Sequence, residues 1–107
     1  MKIILAIISD DDTKSCITAL NKASYHVTRL STTGGFLSSG NTTLIIGCED
    51  DEVDQAISII GKESQRRTEA IPSSLSSEMN SFISFPMQVE IGGATIFVIN
   101  VDQFIKL

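Results

Sequence analysis

One short grammar is written twice in this chain. "LAIISDDDTKSCITAL" and "LIIGCEDDEVDQAISII" each run from an apolar segment of strand length, through a cluster of acids, into an amphipathic stretch. The likeness is one of pattern, with little residue identity. Residues 2–8 and 42–48 are near-continuous apolar runs, which suit strands covered on at least one face. After the first, Cys16, Ile17, Leu20 and Ala23 recur at three- and four-residue spacing and predict a helix over about 12–23. After the second, Val53, Ala56, Ile57 and Ile60 predict another, ending near Gly61. The acids at 10–12 and 49–52 stand where a helix N-terminus favours negative charge. Capping accounts for both clusters without a metal site or a catalytic carboxylate pair.

The remaining segments complete an order of elements. "YHVTRLS", residues 25–31, alternates and is rich in β-formers, so it predicts a second strand. Residues 61–86 first extend the helical pattern, then lose periodicity from about Thr68 and gain serine, as a long functional loop does. "MQVEI", residues 87–91, alternates again. Gly92 and Gly93 can take positive φ and are expected to make a two-residue hairpin turn into the apolar strand 94–101. Two βαβ halves in succession predict an α+β fold, the ferredoxin-like split βαβ sandwich, with four main antiparallel strands and both helices on one face. The other face is then bare. Strands this apolar are expected to bury it by oligomerising.

Composition limits what such a domain can bind. A chain of 107 residues makes one domain, 1–107. Its net charge of −5 argues against a nucleic-acid polymer or an anionic membrane as partner, since both attract basic surfaces. A small anion remains open, because backbone amides hold phosphate without net positive charge. No stretch approaches the length of a membrane span. The apolar start runs into three aspartates instead of a cleavage site, so it reads as a first strand and the protein as cytoplasmic. Cys16 and Cys48 fit no metal spacing and read as buried free thiols.

The chemistry concentrates in "LSTTGGFLSSGNTT", residues 30–43, a loop between strands that carries no charge. Gly34, Gly35 and Gly40 either turn backbone amides inward on a phosphate or serve a tight turn. Phe36 either stacks on a purine or anchors its own loop, and Asn41 either reads an adenine edge or closes the turn. Of the threonines, Thr28 is the one favoured for ligand contact. His26, beside it, faces either the cleft, where it could carry a proton near phosphate, or solvent. Arg29 points away from Thr28, to solvent or a subunit contact. Arg66 and Arg67 are expected to neutralise a helix C-terminus, with approach to an anion as the alternative.

"TRLSTTGGFLSSGNTTLIIGCEDDEVD" together with "VEIGGATIFVINVDQF" resembles the PII-like cyclic-di-AMP receptor proteins of Gram-positive bacteria, over essentially the whole chain. The resemblance implies a ferredoxin-like fold and a homotrimer with its sheets packed in the middle. It implies cyclic di-AMP, with no other cofactor, in clefts between subunits, and signalling to an unknown downstream protein. It marks Thr28, Gly35, Phe36, Leu37, Asn41 and Gly47 as ligand contacts on one subunit and Phe97 on its neighbour, with His26 as a further candidate. It implies a T-loop at about 32–41 and a B-loop at about 68–86. The family usually has arginine where this chain has His26, often a basic residue at Ser38, asparagine at Ser24 and glutamine at Lys106. No convergent base, nucleophile and stabiliser accompany these residues, so no enzyme is expected. The alternative to a receptor is a trimeric interaction scaffold whose nucleotide has been lost or changed.

Overall fold

The computed structural model describes residues 1–30, 40–71 and 87–107, with 69–71 and 87–89 described by their backbone alone. The elements in chain order are β1 (Lys2–Ser9), α1 (Asp10–Lys22), β2 (Val27–Leu30), β3 (Asn41–Cys48), a 3₁₀ turn (Asp50–Glu52), α2 (Val53–Glu63), β4 (Arg67–Ile71), β5 (Met87–Ile91) and β6 (Ala94–Asn100). The main sheet has the order β2-β3-β1-β6, with every neighbouring pair antiparallel. β1 and β2 therefore run parallel with β3 split between them, the mark of the ferredoxin-like sandwich.

The register sorts the side chains into two faces. Ile4, Ala6 and Ile8 of β1 stand opposite Ile46, Leu44 and Thr42 of β3. All six are buried, and Cys16 and Leu20 of α1 and Ala56 and Ile60 of α2 join their cluster. Full burial of one such isoleucine or leucine is worth about 1.5–3 kcal/mol over leaving it exposed. This seam is why the doubled grammar folds: the two amphipathic helices together cover the even-numbered side chains of β1 and β3, with α2 set over β1 and β6. Cys16 and Cys48 are buried free thiols, as their apolar surroundings predict.

The odd-numbered residues of β1, β3 and β6 and the even-numbered ones of β2 face the other way, and no element among the described residues covers them. Leu30, Phe97 and Ile99 are 43%, 53% and 46% exposed. The half-buried Ile3, Leu5, Ile7 and Ile45 lie between them in register. An apolar sheet face of this extent marks a surface made for contact.

Four expectations about the secondary-structure elements are corrected. α1 begins at Asp10, two residues early, because Ser9 is its N-cap and accepts from the Asp11 amide at 3.3 Å. The second strand is shorter than 25–31. Tyr25 instead turns into the core, where its hydroxyl lies 2.7 Å from the Glu52 carbonyl and 3.0 Å from Gln55 Oε1. The segment from Thr68, expected as loop, starts as strand: β4 pairs with β5 in a separate two-stranded ribbon. Its alternation was hidden by the serine-rich residues that follow. Gly92 and Gly93 do have positive φ, 89° and 84°, yet make no hairpin between β5 and β6. They carry the chain from the ribbon to the edge of the main sheet, and a Cβ on Gly92 would stand 2.4 Å from the Gln65 carbonyl oxygen.

The acids at 49–52 behave as expected, with a reciprocal capping box between Glu49 and Glu52. Those at 10–12 do more than cap. Asp10 accepts from the Thr42 hydroxyl, and its amide donates to the Gly40 carbonyl at 2.8 Å. Asp12, buried, accepts from Arg67 at 2.9 Å and 3.4 Å. Arg67 thus ties the ribbon to the start of α1, and Arg66 pairs with Glu90 at 3.3 Å. These pairings, with carboxylates, differ from the helix C-terminus expected for both arginines. Among the described residues no group of three or more His, Cys, Asp or Glu could hold a metal ion.

Candidate functional site

The bare face carries a hollow at each end. The larger, about 710 Å³, is lined by Met1, Ile3, His26, Thr28, Ile45 and Gly47, and by Val101 and residues 103–106 from the segment after β6. Its floor follows from the register. Ile3 stands opposite Gly47 on β1 and β3, and Thr28 stands opposite Ile45 on β2 and β3. Gly47 lacks a positive φ, and a Cβ there would meet nothing within 4 Å. Backbone geometry does not call for glycine at this position. What the glycine leaves is open space in the row beside Thr28.

The smaller hollow, about 150 Å³, lies where the ribbon joins the sheet. Ile7, Ser9, Asn41, Arg66, Gly92, Gly93, Ala94 and Thr95 line it. Asn41 is the first residue of β3, opposite Ser9 of β1. Asn41 and Gly47 share a face of β3 and are six residues apart, roughly 20 Å at strand rise.

The candidate residues therefore fall into three places. His26, Thr28 and Gly47 meet in the larger hollow, and Asn41 sits in the smaller. Phe97 is in neither. It lies half-exposed on β6, paired with Leu5, at the opposite edge of the sheet from Thr28. Gly35, Phe36 and Leu37, with Ser38, lie outside the described residues, as do 72–86 of the expected B-loop. Of the expected T-loop, Gly40 has φ 101° and Asn41 already belongs to β3. Arg29 is exposed and on the helix side of the sheet, away from Thr28, as expected.

Sequence reasoning missed Gln103, Phe104 and Ile105 as lining, and Arg66 as a neighbour of Asn41. No periodicity marks residues 101–107, so nothing local signals that they lie along the hollow. It also missed that Ser24 has φ 71°, the left-handed conformation that asparagine tolerates better than serine.

The electrostatics are uneven. None of the residues lining the larger hollow is an aspartate or glutamate, although the chain carries 13 of them. Nearby, the Met1 amino group lies 3.1 Å from Asp50 and holds that carboxyl below its ordinary range by hydrogen bonding. Behind Gly47, burial pushes the Cys48 thiol up, with the Glu52 carboxylate adding to it. In the core, burial and the Asp12 and Glu63 carboxylates push the Cys16 thiol up to about 11. These thiols stay neutral and unreactive, and no nucleophile with an adjacent base appears among the described residues.

The chain is similar to a solved protein from Pediococcus pentosaceus ATCC 25745, described as functionally unknown. The two share 38% identity with a TM-score of 0.77, over 99% of this chain and 96% of that one. The sequence model of the cyclic-di-AMP receptor family matches residues 1–107, the full length. With the four-stranded antiparallel sheet backed by two helices, this full-length match settles the assignment: the chain belongs to the cyclic-di-AMP receptor family.

Proposed function

We propose that this protein is a PII-like signalling receptor that binds cyclic di-AMP, or a related adenine nucleotide, at the subunit boundaries of a cytoplasmic homotrimer. One observation carries the reading. An acid-free hollow opens beside Gly47 and Thr28 at one edge of an uncovered apolar sheet face, and the ring of Phe97 stands bare at the other edge. Joining bare faces around a threefold axis would set the Phe97 of one subunit against the Thr28 edge of the next. Thr28 and His26 would then meet phosphate, Gly47 would leave room for the ligand, and Phe97 would cover a base. Asn41 is roughly 20 Å along β3 from Gly47, which suits an extended ligand with two bases better than a mononucleotide.

In this reading Gly35, Phe36 and Leu37 close on the ligand from residues 31–39. The ligand favours the loop states that it contacts, and a downstream protein reads the resulting surface. The protein does no catalysis; its product is a conformation. The second reading, a trimeric scaffold without its nucleotide, is favoured by Ser24, His26, Ser38 and Lys106, which remove hydrogen-bonding groups or change charge around the cleft.

Calorimetric titration with cyclic di-AMP, cyclic di-GMP and ATP separates the two. Low-micromolar or tighter binding of one adenine ligand, lost on combining Phe36→Ala with Asn41→Ala, is the receptor's signature. A well-folded trimer that gives no heat with any of the three is the scaffold.

A further inference from the structure

We propose that Lys106 is a specificity-determining residue of the larger hollow, supplying the charge that holds the phosphate of an anionic nucleotide. This rests on the receptor reading and says where that receptor's cation comes from. The chain is acidic overall, with 13 acids against 8 lysines and arginines. The hollow reverses that balance: its lining holds no carboxylate side chain and gathers Lys106, His26 and the Met1 amino group. The Met1 amino group is engaged, 3.1 Å from Asp50 and 4.0 Å from Glu49. Among the described residues, neither Lys106 nor His26 has an ion pair or a hydrogen bond. Two basic side chains are thus left for a ligand, and of these Lys106 has the longer, more flexible reach.

The position suits the task. Residues 103–106 line the hollow in succession, together with Ile3, Ile45, Thr28 and Gly47 of the sheet. Phe104 and Ile105 bring apolar surface beside it, as a base would need, while the Thr28 hydroxyl offers a donor. A strongly hydrated ammonium on a flexible stem binds phosphate as a point charge, without bidentate geometry. The attraction should therefore be strongly screened by salt.

Calorimetry with cyclic di-AMP at 50 mM and 300 mM NaCl tests this on the wild type, Lys106→Gln and Lys106→Glu, with inorganic phosphate as a competing probe. Lys106→Gln should weaken binding about tenfold at low salt, the effect of losing one charge-assisted contact. It should also flatten the salt dependence, and Lys106→Glu should weaken binding further. All three proteins should melt alike, since Lys106 is exposed. Excess phosphate should compete with the nucleotide in the wild type and less in Lys106→Gln. If the wild type binds while Lys106→Gln matches it in affinity and salt dependence, this inference is wrong and the receptor reading stands. If the wild type binds no nucleotide, both fall together.

Discussion

Thr28 and Phe97 are the two ends of one cross-strand row. Thr28 pairs with Ile45, Ile45 with Leu5, and Leu5 with Phe97. Three inter-strand steps separate the two ends, about 14 Å. Within one subunit they therefore sit at opposite edges of the same apolar face. A neighbour placed against this face would bring a second Phe97 ring to the Thr28 edge.

The proposed assembly is tested first at that ring. Phe97→Asp puts a carboxylate on the β6 edge of the apolar face that three copies would share. Light scattering should show the wild type at three times the 11.6 kDa chain mass and the variant at the chain mass, with helical circular dichroism unchanged. A wild type that runs as a single chain at micromolar concentration would leave the cleft unbuilt.

Gly47 offers a test of the hollow that spares the backbone. Its φ is compatible with any residue and a Cβ meets nothing within 4 Å, so Gly47→Val should fold. It should also fill the space beside Thr28. The expected result is nucleotide binding weakened at least tenfold, about 1.4 kcal/mol, with the melting temperature held or raised. Unaltered affinity would place the ligand elsewhere.

Ser24 holds a left-handed backbone at φ 71°. Ser24→Gly, which removes the Cβ, or Ser24→Asn, whose short polar side chain tolerates this conformation, should stabilise the fold by about 0.5–1 kcal/mol in urea unfolding. Ser24→Val should destabilise by more than that, because a β-branched residue resists this conformation.

The buried Asp12 carboxylate and the Arg67 guanidinium fix the ribbon to α1. Asp12→Ala should cost about 1–2 kcal/mol, since it removes two charge-assisted hydrogen bonds while Arg67 keeps its bond to the Gln65 carbonyl. Combining it with Arg67→Gln should cost less than the two single losses added, because the two changes share one interaction. Additive losses would show that the pair is not coupled.

Cys16 gives a pH prediction. Its ordinary value of 9.0 is raised to about 11 in the fold, chiefly by burial. The neutral thiol is the form that burial favours. Its contribution to stability is therefore whole below about 9 and is lost as the pH climbs from 9 towards 11. Burial also raises Tyr25 and Cys48, so they act in the same direction. Urea midpoints between pH 8 and pH 11 should fall, and should fall less steeply for Cys16→Ala. Thiol reagents at pH 8 should leave Cys16 untouched until the protein is unfolded.

The local grammar was enough for the sandwich, because its signals are short-range. The three- and four-residue spacing of Cys16, Ile17 and Leu20 makes α1, and the apolar run at 42–48 makes β3. β4 escaped notice because a five-residue strand gains its meaning only from its partner β5, which lies beyond the serine-rich segment. Gly92 and Gly93 were correctly read as positive-φ residues and wrongly read as a hairpin. Dihedral freedom permits a turn, and long-range pairing decides which strands it joins.

By itself the sequence determined two helices over one face of an antiparallel sheet and left the second face bare, because periodicity acts within a few residues of chain. His26, Thr28 and Asn41 were candidates by residue type and place, whereas Gly47 and Phe97 became candidates through the family resemblance alone. Only the tertiary structure decided that Gly47, Thr28 and His26 line one hollow with Lys106, that Asn41 belongs to another beside Arg66, and that Phe97 lies across the sheet from Thr28. Those relations are set by strand order and register, which arise from burial summed over the whole sheet and leave no mark in any one stretch of residues.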